Sequence, residues 1–325
     1  MYLSHQFTAH DTILLVGGNF QEARKFESIA YRKDTRMYPF ASIHRLLSKK
    51  PIALSSSLVH NIPPLPKKSI NTSLLITEEN NLLSVGGNLK TCYVLRNGKW
   101  IKHSRLNKNR FGGVFIDMPN GIYVFGGKTS PNTTEFLPKG SSIWQFGPEL
   151  RLFEEKGRTK HEKSFRFGNG HKVSDTDIIL IKRNHVINFN VKTNIFSYLS
   201  EIEHNDYYHC ASVFYNGKII ISGGETRKTF LTNTTRIYDV KSKTCQKIGI
   251  LNRFRSRHKM AVISIDNKLK VVAFGGVGWI HENLNSIEVF NEEKESWTRL
   301  DTKMKIARAH LAHVEVSSTL FRNFM

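Results

Sequence analysis

The sequence predicts an all-β fold that repeats one four-stranded antiparallel unit along the chain. Two observations carry that prediction. Apolar runs ending on a glycine pair occur five times: ILLVGG (13–18), LLSVGG (82–87), IYVFGG (122–127), IIISGG (219–224) and VVAFGG (271–276). Aromatics with another aromatic or apolar residue seven positions on follow four of these runs and a sixth, glycine-less run at 178–183: Tyr31 and Tyr38, Tyr93 and Trp100, Phe189 and Phe196, Tyr238 and Cys245, Phe290 and Trp297. With the run at 178–183 counted, most of the intervals fall at roughly 40 to 55 residues, the range of repeat architectures.

Each element of the unit has its own signal. The first strand is a short alternating segment closed by a turn, as in HCASVFYNGKIIISGG with Asn216-Gly217 and HKMAVISIDNKLKVVAFGG with Asp266-Asn267. The second is the glycine-pair run. Glycine weakens a strand interior, so a pair there marks a close backbone approach or a positive φ. Gly17, Gly18, Gly86, Gly87, Gly126, Gly127, Gly223, Gly224, Gly275 and Gly276 are therefore structural. The third and fourth strands are the paired aromatics, and the polar stretches between them (YVLRNGKW, FNVKTNIF, YDVKSKTC, FNEEKESW) read as tight turns. In the third unit Trp144 takes the first aromatic place. A sixth run, IILIKR (178–183), aligns with the others but carries Lys182-Arg183 in place of the glycines. Helical periodicity is nearly absent; IHRLLSKK (43–50) admits one or two turns.

The first glycine run starts too near the beginning of the sequence to have an inner strand ahead of it. RAHLAHVEVSS (308–318) matches the inner-strand segment RHKMAVISI (257–265) and has no glycine run behind it. Residues 309–316 are thus expected to complete the first unit. Such closure removes an open sheet edge.

The glycine pair followed by a spaced Tyr and Trp resembles the kelch repeat, and SIEVFNEEKESWTRLDTKMKIARAHLA comes near its ideal. The resemblance covers nearly the whole chain. It departs at the fourth unit, which lacks the glycines, and at the fifth, where Cys245 stands for the Trp. It implies a six-bladed β-propeller of four-stranded antiparallel blades round a central channel, formed by residues 1–325 as one domain, with Trp100 and Trp297 structural. It also implies that His171, His209, His258 and His310, at equivalent places before the inner strands, are structural rather than ligands to a metal, since an Arg and a His there bond the backbone between blades.

The chain carries 48 Lys+Arg against 27 Asp+Glu, a net charge of +21, which points to acidic partners: a protein segment, nucleic acid or a phospholipid surface. A basic bias serving only solubility gives the same figure. The cations gather in KHSRLNKNR (102–110), KGRTKHEKSFRF (156–167), RFRSRHK (253–259) and KMKIAR (303–308), all of them connections between units. In an up-and-down blade these connections share one rim with the loops after the glycine runs. The predicted partner-binding set is Arg105, Lys108, Arg110, Arg158, Lys160, Arg253, Arg255 and Arg257 on the connections, Arg24, Lys25, Lys128, Arg227 and Lys228 on the loops, and Trp279 as an aromatic anchor.

No Ser-His-Asp or Cys-His order, P-loop, HExxH or GxGxxG is found, so neither catalysis nor a cofactor is expected. The resemblance does bring in enzymes, since galactose oxidase with its Tyr, His and Cys copper ligands and sialic acid epimerases share the fold. More often kelch propellers act as substrate receptors of ubiquitin ligases, actin binders or scaffolds. The adaptor type places BTB and BACK domains ahead of the propeller, for which this sequence leaves no room. The expected partner is a protein with an acidic segment, such as a ubiquitin-ligase component, a ligase substrate or a cytoskeletal protein, with nucleic acid or an anionic membrane through the same face as the second reading. No apolar run is long enough for a transmembrane helix. Three scattered thiols, Cys92, Cys210 and Cys245, and the lack of a signal-peptide pattern favour the cytoplasm, with the nucleus also admitted and secretion disfavoured despite sequons at Asn71, Asn132 and Asn233.

Overall fold

The computed structural model describes residues 12–16, 42–45, 65–67, 72–77, 80–150, 165, 167–202, 207–226, 231–265, 268–304, 307–310 and 312–316. Strands β1 (Thr12–Val16) and β2 (Ser42–Arg45) come first. One sheet follows from β3 (Thr72–Ile76), β4 (Leu82–Gly86), β5 (Thr91–Arg96) and β6 (Lys99–Arg105), and a second from β7 (Val114–Met118), β8 (Gly121–Phe125), β9 (Thr134–Pro138) and β10 (Gln145–Phe146). The third is β11 (Asn169–Lys172), β12 (Asp177–Lys182), β13 (His185–Asn190) and β14 (Ile195–Glu201). A short strand β15 (Tyr207–Tyr208) precedes the fourth sheet, which holds β16 (Ala211–Tyr215) and β17 (Lys218–Ser222); β18 (Glu225–Thr226) pairs back onto β15, and β19 (Thr234–Asp239) and β20 (Thr244–Ile250) complete the sheet. The fifth is β21 (Lys259–Ile265), β22 (Lys268–Phe274), β23 (Ser286–Asn291) and β24 (Ser296–Lys303), and β25 (Ala312–Val316) comes last.

Every blade is a meander in chain order, inner strand to outer strand, as the repeat predicts. The glycine-pair strands are the deepest: β4 and β8 are buried at every residue, whereas β6, β14 and β20 are mostly exposed. Core forms between neighbouring blades, where Leu83, Val85 and Val94 of one face pack on Phe115, Ile122, Val124 and Leu137 of the next. Inner strands β3, β7, β11, β16, β21 and β25 lie side by side in that order, and β25 returns to β3, so the ring is closed.

Among the described residues there are five four-stranded blades, not six. The remaining sheet, β2-β1-β25, is three-stranded. In it β25 pairs with β1 antiparallel, Thr12 opposite Val316 and Val16 opposite Ala312, joining the two ends as expected. The place beside β1 is taken by Ser42–Arg45, with Leu15 opposite Ser42, so the start of the IHRLLSKK segment is strand rather than helix. Tyr31, Tyr38, Gly17 and Gly18 lie outside the described residues.

The glycine pairs sit where the ring needs them. Gly223 has φ +59°, and a Cβ there would stand 2.4 Å from the Arg255 carbonyl oxygen; at Gly126 (φ +64°) it would stand 1.9 Å from that of Phe165. These two glycine strands therefore pass against the connection leading to the next blade. The fourth unit escapes this requirement because β12 and β13 are joined directly, Lys182 opposite His185, and Arg183 takes φ +58° in the turn.

The aromatic pairs need two corrections. Phe189–Phe196, Tyr238–Cys245 and Phe290–Trp297 are cross-strand partners. Trp100, however, faces Leu95 while Tyr93 faces Lys102, because the two-residue Asn97-Gly98 turn is shorter than the others. Trp144 holds the second aromatic place rather than the first: its carbonyl accepts from Asn107 Nδ2 (2.8 Å) as that of Trp297 accepts from Asn252 Nδ2 (2.7 Å).

Candidate functional site

Strand direction puts the connections β6–β7 and β20–β21 on one rim with the loops after the glycine pairs. Two of these connections share the pattern Leu-Asn-x-x-Arg, in LNKNR (106–110) and LNRFR (251–255), and fold alike. Leu106 and Leu251 are buried. Arg110 and Arg255 turn inward and are fully buried, so neither belongs to a binding surface. Arg110 Nη1 donates to the carbonyls of Gly126 (2.9 Å) and Thr133 (2.9 Å), and its Nη2 lies 2.8 Å from Glu135 Oε1. Arg255 Nη1 donates to Gly275 O (3.0 Å), its Nη2 donates to Ser286 Oγ (3.0 Å), and the same nitrogen pairs with Glu288. Glu135 also accepts from the amides of Asn107 and Lys108, and Glu288 from those of Asn252 and Arg253. These two carboxylates clamp each connection to the following blade. A buried guanidinium is tolerable only with its charge paired, here by Glu135 and Glu288.

Two residues beyond these arginines, the backbone turns left-handed. Gly112, Phe167, His209, Arg257 and His310 all have positive φ and all precede an inner strand by two residues. They link blade to blade: Phe167 N donates to Gly112 O (2.7 Å), Arg257 N to His209 O (2.9 Å) and His310 N to Arg257 O (3.2 Å). Phe167, His209, Arg257 and His310 line a cavity of about 100 Å³ at the channel mouth. The rings of His209 and His310 stand 6.2 Å apart, and Arg257 Nη2 meets Glu225 at 3.2 Å.

The four histidines are therefore not equivalent. His209 and His310 hold the left-handed position, His258 is the residue after Arg257 and lies in the interior, and His171 is inside β11. His171 Nε2 and Ser212 Oγ are 2.7 Å apart, and His258 Nε2 and Ser222 Oγ 3.0 Å. Burial holds the His258 pKa well below the ordinary range; burial first, then Arg257 and Lys259, brings His310 down to about 4. Both rings are neutral at physiological pH, and Arg257 and Lys259 bring positive charge to the mouth. Among the described residues no group of three or more His, Cys, Asp or Glu is placed to hold a metal ion.

On the rim itself, Arg105, Lys108, Lys128 and Arg253 are exposed, and Arg253 Nη2 pairs with Glu282 at 2.9 Å. Trp279 is 62% exposed and Ile280 71%. Trp279 leans on Phe254, itself 40% exposed, at 5.2 Å between centroids. This pairing joins the β22–β23 loop to the β20–β21 connection and makes an apolar patch beside Arg253. Phe254 was missed in the sequence, although RFRSR presents it among cations. Trp297 is buried and its Nε1 donates to Thr235 Oγ1 (2.8 Å); Trp100 is half-buried. Arg24, Lys25, Arg158, Lys160, Arg227 and Lys228 lie outside the described residues.

Five four-stranded meanders, joined by rim connections and closed by paired chain ends, define a β-propeller. The Kelch motif profile matches residues 256–304, which is the β21–β24 blade with its preceding turn. The chain is accordingly a β-propeller, one blade of which carries a Kelch motif. Solved structures agree in fold: the structure of YjhT superposes with a TM-score of 0.61 at 12% identity, covering 76% of this chain and 88% of that one. No protein of curated function matches the sequence. No helix among the described residues is long and apolar enough to cross a membrane.

Proposed function

We propose that the protein is a non-catalytic interaction module that binds an acidic segment of another protein on this rim. The observation that carries the reading is the Phe254–Trp279 pair, exposed and flanked by Arg253, on a chain of net charge +21. An exposed Trp on a loop is the residue type most often found at the energetic centre of an interface, where its loss costs about 2 kcal/mol or more. Surrounding cations add steering and specificity. The fitting partner carries carboxylates around one large apolar side chain; a ubiquitin-ligase component, a ligase substrate or a cytoskeletal protein could present it. The reading places the protein in the cytoplasm or nucleus.

Nucleic acid or an anionic membrane is the second reading, favoured by the net charge alone. Against it, the aromatics form one patch rather than the spaced platform on which successive bases stack.

Peptide display on the intact protein, counter-selected against a variant carrying Trp279→Ala and Arg253→Glu, tests the proposal. Acidic peptides with a central aromatic or leucine, depleted by the counter-selection, are expected. Enrichment of neutral peptides, or of peptides that bind the variant equally, would overturn it.

A further inference from the structure

The opposite face, which carries the turns β3–β4, β5–β6 and β7–β8, holds a cavity of about 370 Å³ between the β3–β6 and β7–β10 blades. Its origin is the short outer strand β10. That strand has two residues where β6, β14 and β20 have seven, and it pairs only with Glu135 and Phe136. The far end of β9, Leu137 and Pro138, is left without an outer neighbour, and the chain after it swings out to form a wall. A volume of this size lies in the range of small-molecule sites.

The cavity is polarised. Leu83, Ile122 and Leu137, all buried and all part of the core between the two blades, line its depth. Exposed Arg96 and Lys139 stand over it from different blades, with Ser142 beside them; Asp117, half-buried, is the acid in the lining. Cations outnumber acids there, Arg96 and Lys139 against Asp117, and the volume has room for a ring system. We propose that this cleft binds a small amphipathic organic anion, its apolar body against Leu83, Ile122 and Leu137 and its acidic group between Arg96 and Lys139. The site is independent of the rim, which lies on the other face.

The test uses 8-anilinonaphthalene-1-sulfonate as a fluorescent probe of that shape and charge, beside its uncharged analogue N-phenyl-1-naphthylamine. One saturable site is expected on the intact protein. The double variant Arg96→Glu with Lys139→Glu should weaken the sulfonate at least tenfold and leave the uncharged analogue unchanged. Ser142→Trp should block both by filling the cleft. All three positions border solvent or the cleft, so unchanged melting curves are required of the variants. The proposal falls if no saturable binding occurs, if the charge reversals leave the sulfonate's affinity intact, or if the Phe254–Trp279 patch proves to be where the probe sits, shown by loss of its signal in Trp279→Ala.

Discussion

Arg110 and Arg255 show how one residue type serves two purposes on the same connection. The sequence displays charge but not depth, so both read as rim cations; their partners Glu135 and Glu288 stand 25 and 33 residues away, and no local spacing links them. Removing one member of a buried pair leaves an uncompensated charge, which costs roughly 3–5 kcal/mol. Glu288→Ala should therefore lower the unfolding free energy measured in urea by that margin, whereas Arg253→Glu, two residues from Arg255 but exposed, should stay within about 0.5 kcal/mol of wild type. At Gly223, alanine would meet both a left-handed backbone and the Arg255 carbonyl, so Gly223→Ala should cost at least roughly 1–3 kcal/mol in the same assay. His258 and His310 add a pH dependence. Both are held neutral in the fold, so the unfolded chain binds more protons below its own pKa near 6.5. Their contribution is whole above that value and is lost as pH falls, for His310 between about 6.5 and 4. Each can add a slope of up to about 1.4 kcal/mol per pH unit in this window. His258→Gln should flatten the acid side of the stability curve; an unchanged slope would contradict the burial argument.

At the scale of elements, the strands were legible because their signals are local: an apolar run, a glycine pair, two aromatics at fixed spacing. Where loop length intervened the signal failed. The Asn97-Gly98 turn shifts Trp100 away from Tyr93, and the shortened β10 moves Trp144 into the second aromatic place. Of the left-handed residues before the inner strands, the sequence drew attention to His209 and His310 but not to Gly112, Phe167 or Arg257, because these share the backbone conformation and not the side chain. The rim follows from strand direction, which explains why its exposed cations were readable and the Phe254–Trp279 contact, made between two connections, was not. A triple variant Lys108→Glu, Lys128→Glu, Arg253→Glu should melt as wild type does; a large drop would mean that these side chains hold the fold and are not a surface.

For the molecule as a whole, the ring depends on its last strand. β25 pairs with β1 and lies between β21 and β3, so it seals the gap that the five four-stranded blades leave. Deleting residues 311–325 should expose strand edges on both sides and abolish a cooperative thermal transition; a truncated chain with an unchanged melting curve would refute closure by this strand. The unit count was read from glycine runs, and it exceeded the four-stranded blades because the first run belongs to a sheet of three strands. The propeller fold brings no partner with it, so the rim carries the functional reading. The most direct measurement places the photoreactive residue p-benzoylphenylalanine at position 279, and in a second protein at Asn97 on the opposite face, and irradiates each in nuclease-treated lysate of the producing cells. The account predicts a discrete protein adduct from position 279 only, joined through an acidic peptide. Adducts of equal identity from both positions, or none from 279, would contradict it.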